Sequence, residues 1–92
     1  MARWRKLLAR MLNDDRPTTY TYSNAAAILR ALRFEVAPSA GGSHRKWRGG
    51  LPGGNVIIIG LVEKGSGSLK PYLIRDMLAQ LRSSGLVPED ME

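Results

Sequence analysis

The stretch Ser43-His44-Arg45-Lys46-Trp47-Arg48-Gly49-Gly50-Leu51-Pro52-Gly53-Gly54-Asn55-Val56-Ile57-Ile58-Ile59-Gly60-Leu61-Val62 decides the fold. Its first part, Ser43 to Arg48, alternates with the two-residue period of a strand. His44, Lys46 and Arg48 fall on one side, Arg45 and Trp47 on the other. Its last part, Asn55 to Val62, is apolar and β-branched nearly throughout. The glycines and proline at 49–54 let the chain reverse without steric cost, so the two segments read as an antiparallel hairpin. A half-exposed antiparallel strand should alternate, yet Val56-Ile57-Ile58-Ile59 puts branched side chains on both faces. Either a partner covers the face the protein itself leaves open, or the strand is β-branched for propensity alone; the covering partner is the favoured reading.

Working outward, Phe34 to Ala37 is a short alternating segment that supplies a third strand. On its N-terminal side, Ala25, Ile28, Leu29 and Leu32 recur at helical spacing, with Thr21, Ser23 and Asn24 as candidate N-caps. Beyond the hairpin, Pro71 suits a first helical turn. Ile74, Met77, Leu78 and Leu81 form the stripe, and Gly85 can take the left-handed conformation that ends it. A further helix runs from about Ala2 to Leu12, with Trp4, Leu7, Leu8, Met11 and Leu12 on one stripe, and stops before Pro17. The class is α+β: an α-β-β-β-α core with a three-stranded antiparallel sheet and an additional N-terminal helix. Both flanking helices are expected on one sheet face.

The length of 92 residues allows one domain, 1–92. Within it, 1–16 is the additional helix, 22–87 the core and 88–92 a frayed acidic tail. The chain has no cysteine and one histidine, which removes disulfide and thiol chemistry and makes a structural zinc site improbable. The carboxylates lie at the chain ends and on different elements, so no metal or other cofactor is expected. The apolar run Val56 to Val62 is far shorter than the roughly 20 residues of a membrane helix. A soluble, cytoplasmic protein without a membrane partner follows as the expectation.

The formal charge is +6. Arg3, Arg5, Lys6, Arg10 and Arg16 stand against Asp14 and Asp15 at the N-terminus, and Arg45, Lys46 and Arg48 have no acid within 41–54. From 76 onward, Arg82 faces Asp76, Glu89, Asp90 and Glu92. A basic body with an acidic tail points to a polyanion, nucleic acid before membrane surface; with equal weight, the excess charge only keeps the chain soluble. The lone histidine lies inside the acid-free basic cluster, on a strand entered through Gly41 and Gly42. Metal-independent RNA cleavage needs a base for the ribose 2′-hydroxyl, cations for the phosphorane, and a donor for the leaving oxygen. His44 has the chemistry for base or acid; Lys46, Arg48, Lys64, Lys70 or Tyr72 can stabilise charge. Trp47 reads as core before it reads as a base-stacking platform, and Tyr22 as a staple for its helix. Gly60-Leu61-Val62-Glu63-Lys64-Gly65-Ser66 is not a nucleotide-binding P-loop, because its lysine precedes the second glycine. Gly65-Ser66-Gly67-Ser68 is a flexible connector whose amides can also meet phosphate.

Several of these segments, in this order, resemble the HicA family of small mRNA-interferase toxins. The matching residues are Leu29-Arg30-Ala31-Leu32-Arg33-Phe34-Glu35, Gly42-Ser43-His44, Trp47, the apolar strand, and Gly65-Ser66-Gly67-Ser68-Leu69-Lys70-Pro71-Tyr72. The likeness spans roughly residues 22–87. It implies an arrangement like that of double-stranded RNA-binding domains. It also implies endoribonuclease action on mRNA that inhibits translation, with His44 catalytic, and neutralisation by a HicB-like antitoxin. Ser43, Arg45, Lys46, Arg48 and Lys70 are then the RNA-binding candidates. Arg33 stands where many relatives carry glycine; in a left-handed conformation an arginine costs about 1 kcal/mol. Arg45 follows His44 where a second histidine often stands, which leaves the second proton carrier unassigned. Two alternatives share the fold: a non-catalytic RNA-binding module, and a protein-interaction module using the Val56–Val62 strand.

Overall fold

The elements follow one another as α1 (Arg3–Leu12), α2 (Tyr22–Ala31), β1 (Glu35–Val36), β2 (His44–Gly50), β3 (Val56–Val62) and α3 (Pro71–Ser83), with a 3-10 turn at Glu89–Met91. They come from a computed structural model that describes residues 3–38, 42–51, 53–63 and 67–91. The fold is α+β, an open antiparallel sheet of order β1-β2-β3 with helices packed against it.

Local chemistry sets the helix ends. Thr21 is the α2 N-cap: its hydroxyl accepts from the Asn24 amide at 3.2 Å, and Asn24 Oδ1 accepts from the Thr21 amide at 2.9 Å. This reciprocal pair satisfies two amides that a helix start leaves orphaned, with asparagine in the place usually held by Glu or Gln. Helices α2 and α3 end in the same geometry. After α3, the Gly85 and Leu86 amides donate to Arg82 and Leu81, with Gly85 at φ 72° as its residue type suggests. After α2, the Arg33 and Phe34 amides donate to Arg30 and Leu29 in the identical pattern, but the left-handed position, φ 72°, is held by Arg33.

Sheet register fixes what each face carries. His44 pairs with Val62, Lys46 with Gly60, Arg48 with Ile58, and Glu35 extends the Arg48 pair across β1. Arg45, Trp47 and Gly49 point the other way, toward the helices, as do Ile57, Ile59 and Leu61. Trp47, Ile59 and Leu61 join Ile28, Leu29, Ile74, Met77 and Leu81 in one core. The extra helix enlarges this core: α1 packs on α2 and buries Leu8 and Met11 in the same cluster. The opposite sheet face stays open, with Val56 48% and Ile58 53% exposed.

Two expectations need adjustment. Gly49 and Gly50 are strand residues, not loop residues, since β2 continues to pair with β3 through Gly50 and Val56. Glycine is required at 49 because a Cβ there would meet the Phe34 ring at 2.7 Å. The first strand is only two residues long, because Phe34 is committed to the α2 cap and to the core. In the C-terminal segment, residues 89–91 form a 3-10 turn in which Asp90 Oδ2 accepts from Arg5 at 2.8 Å and Met91 packs against the core.

Arg33→Gly should raise the unfolding free energy by about 1 kcal/mol, because glycine adopts positive φ without the Cβ penalty. Urea unfolding checks this; an unchanged or lower midpoint would contradict the cap geometry.

Candidate active site

His44 is the first residue of β2, opposite the last residue of β3. Gly42 precedes it at φ 78°, and the Glu63 amide donates to the Ser43 carbonyl at 2.7 Å, which pins the strand entry. The helix starts arrive at the same place through backbone pairing. Thr21 bridges Ser68, and the Leu69 amide donates to the Tyr20 carbonyl at 2.7 Å. The first turns of α2 and α3 therefore lie side by side, next to the entry of β2.

The space between them is a pocket of about 330 Å³ lined by Tyr22, Ser43, His44, Val62, Gly67, Ser68, Leu69, Lys70, Tyr72 and Leu73. Val62, Leu69 and Leu73 supply apolar wall; Ser43, His44, Ser68, Lys70 and the two tyrosines supply polar groups. No carboxylate is among the lining residues. Both helices present their positive ends here. The α2 end is closed by its capping pair, whereas the α3 N-cap is Lys70, which makes no side-chain capping bond. A cation at a helix N-terminus is unfavourable by about 0.3–1 kcal/mol at an exposed site. Lys70 thus adds positive charge where the fold gains nothing from it.

Of the sequence-predicted residues, Ser43, His44 and Lys70 meet in this pocket. Lys46 and Arg48 continue the open face beyond His44 at strand steps of roughly 6.8 Å. Glu35 stands in register with Arg48, while Lys46 faces Gly60, which has no side chain. Arg45 is elsewhere. It points to the helix side, its Nε lies 3.0 Å from Glu63 Oε1, and its guanidinium donates to the Gly42 and His44 carbonyls. Its place beside the strand entry is one of support, not of contact with the pocket. Lys64, Gly65 and Ser66 lie outside the described residues.

The pocket also contains residues that linear pattern does not mark, namely Val62, Leu69 and Leu73. Their signal is the Thr21–Ser68 bridge, which links segments far apart in the chain. The two tyrosines divide in role. Tyr22 packs on Trp47, ring centroids 6.3 Å apart, while Tyr72 is 55% exposed. Trp47 itself is core, 1% exposed beneath the Arg30 guanidinium, whose carbon lies 5.1 Å from the ring centre. Among the described residues no group of three or more His, Asp or Glu side chains assembles for a metal ion, and no helix is long and apolar enough to cross a membrane.

No family model, curated protein or solved structure matches the chain. The chemistry of the pocket rests on its own residues.

Tyr20, whose carbonyl holds the α3 entry, has a displaced titration. Burial raises its pKa first, and the hydrogen bond to Asp14 Oδ2 (3.2 Å) and the charge of that carboxylate raise it further. The neutral phenol is therefore favoured in the fold. Its contribution is complete below the ordinary tyrosine value of about 10 and is lost as pH rises through the higher folded value. Denaturant unfolding above pH ~10 should show stability falling, with a shallower fall in Tyr20→Phe. Identical slopes would contradict the assignment.

Proposed function

We propose that this chain is a HicA-like toxin, an endoribonuclease that cleaves mRNA without a metal ion and inhibits translation. In this reading the helices and sheet take the arrangement of a double-stranded RNA-binding domain, and a HicB-like antitoxin is the neutralising partner. The observation that carries it is the setting of His44: an imidazole opening on a carboxylate-free pocket beside Lys70, Ser43 and two helix starts. A phosphodiester suits such a pocket because its charge is negative and grows in the transition state.

The reaction follows from those groups. Neutral His44 accepts the proton of a ribose 2′-hydroxyl, and the oxygen attacks the adjacent phosphorus. The phosphorus–O5′ bond breaks as the departing oxygen takes a proton from solvent water, and protonated His44 returns its proton to solvent, giving a 2′,3′-cyclic phosphate and a 5′-hydroxyl. Lys70 stabilises charge on the phosphorane, and Ser43 is positioned to hydrogen-bond a phosphate oxygen. Lys46 and Arg48 bind flanking phosphates on the open face. An antitoxin that covers His44 and this face would also bury Val56 and Ile58.

Purified protein should degrade unstructured RNA in the presence of a chelator, and His44→Ala should lower the rate about 100- to 10,000-fold. His44 is exposed, so the variant keeps its fold. Equal cleavage by the alanine variant would overturn the assignment. Salt-dependent binding with no cleavage by the unaltered chain would instead favour a non-catalytic RNA-binding module that uses the same Lys46 and Arg48 face.

A further inference from the structure

The exposed side chain of Tyr72 is the feature of the pocket that phosphate chemistry does not use. It occupies the first turn of α3, two residues after Lys70, at 55% exposure. The other aromatic side chain at the pocket, Tyr22, is engaged with Trp47. Leu73 and Leu69 line the same cavity beside Tyr72, so apolar surface and an unengaged aromatic ring occur together next to Lys70 and His44. The volume, about 330 Å³, lies at the small end of ligand pockets, which run from roughly 300 to 1,000 Å³. A pocket with a cation and imidazole against an apolar, aromatic wall has the chemistry to take one nucleotide, phosphate at one side and base at the other.

From this we infer that Tyr72 is the stacking platform for one unpaired nucleobase of the RNA strand. The inference rests on the RNA-cleavage reading of the same pocket and adds the residue that holds the base. A base inside a duplex has both faces covered by its neighbours in the stack, so it has none to offer Tyr72. An unpaired base has two, and every base has such a face, so the contact selects single strands without selecting sequence. Lys70 beside the ring holds the phosphate of the stacked nucleotide, which sets the sugar toward His44.

The test is binding of a short, unstructured 2′-O-methyl RNA, whose blocked 2′-oxygen prevents cleavage, followed by fluorescence anisotropy with the full chain. Tyr72→Ala should weaken single-strand binding by about 10-fold or more, the ordinary loss for one stacked base. Tyr72→Phe should restore most of that loss, since the ring and not the hydroxyl makes the contact. Binding of the same sequence as a duplex should be weaker and unaffected by Tyr72→Ala. Equal single-strand affinity for the alanine variant, or an equal loss in the duplex, overturns the stacking role while leaving cleavage by His44 untouched. Failure of the unaltered chain to bind either RNA overturns this inference together with the RNA reading beneath it.

Discussion

The pairing of two helix entries is the constraint on which the site depends. One hydrogen bond from the Leu69 amide to the Tyr20 carbonyl, with the Thr21–Ser68 bridge beside it, sets the first turn of α3 next to that of α2. Core packing of Ile74, Met77 and Leu81 holds the body of α3, and this pairing fixes where its first turn, with Lys70 and Tyr72, lies relative to Tyr22. The pairing is protected at both ends. Thr21 and Asn24 cap α2 reciprocally, which satisfies two of the amides at its start. Tyr20 anchors its own side chain on Asp14 while Leu69 is buried in the core. Backbone pairing between loops is thereby turned into a defined cleft.

The sheet contributes the histidine and the asymmetry of charge. Because β2 alternates, His44, Lys46 and Arg48 share the open face while Trp47 fills the core and Arg45 turns back to Glu63. The same strand therefore carries packing on one side and chemistry on the other. The buried indole Nε1 of Trp47 has no hydrogen-bond partner among the described residues, and a buried donor left so costs roughly 1–3 kcal/mol. The stack of Arg30 above the ring and of Tyr22 against it offsets part of that cost.

Much of this is legible in the amino acids. The helical stripes, the hairpin, the face shared by His44, Lys46 and Arg48, and the Gly85 stop all follow from periodicity and from the few residues that tolerate special backbone geometry. Arg33 was marked as a position where a left-handed conformation would be costly, and it adopts φ 72°. Other features were not visible because they depend on neighbours distant in sequence. Gly49 looks like a turn glycine until the Phe34 ring is seen above it. Arg45 reads in sequence as a third phosphate cation, and its pairing with Glu63 on the helix side is set by a residue eighteen positions away. The pocket is the clearest case: no spacing rule connects Tyr22, Ser43 and Tyr72, which meet only because Ser68 pairs with Thr21.

The central claim is that His44 drives attack by the ribose 2′-oxygen within this cleft. End-group analysis of RNA cut by the purified chain in the presence of a chelator tests it most directly. The account predicts fragments ending in a 2′,3′-cyclic phosphate and beginning with a 5′-hydroxyl. Fragments with a 3′-hydroxyl and a 5′-phosphate would contradict it, because those ends arise by attack of water and not of the 2′-oxygen.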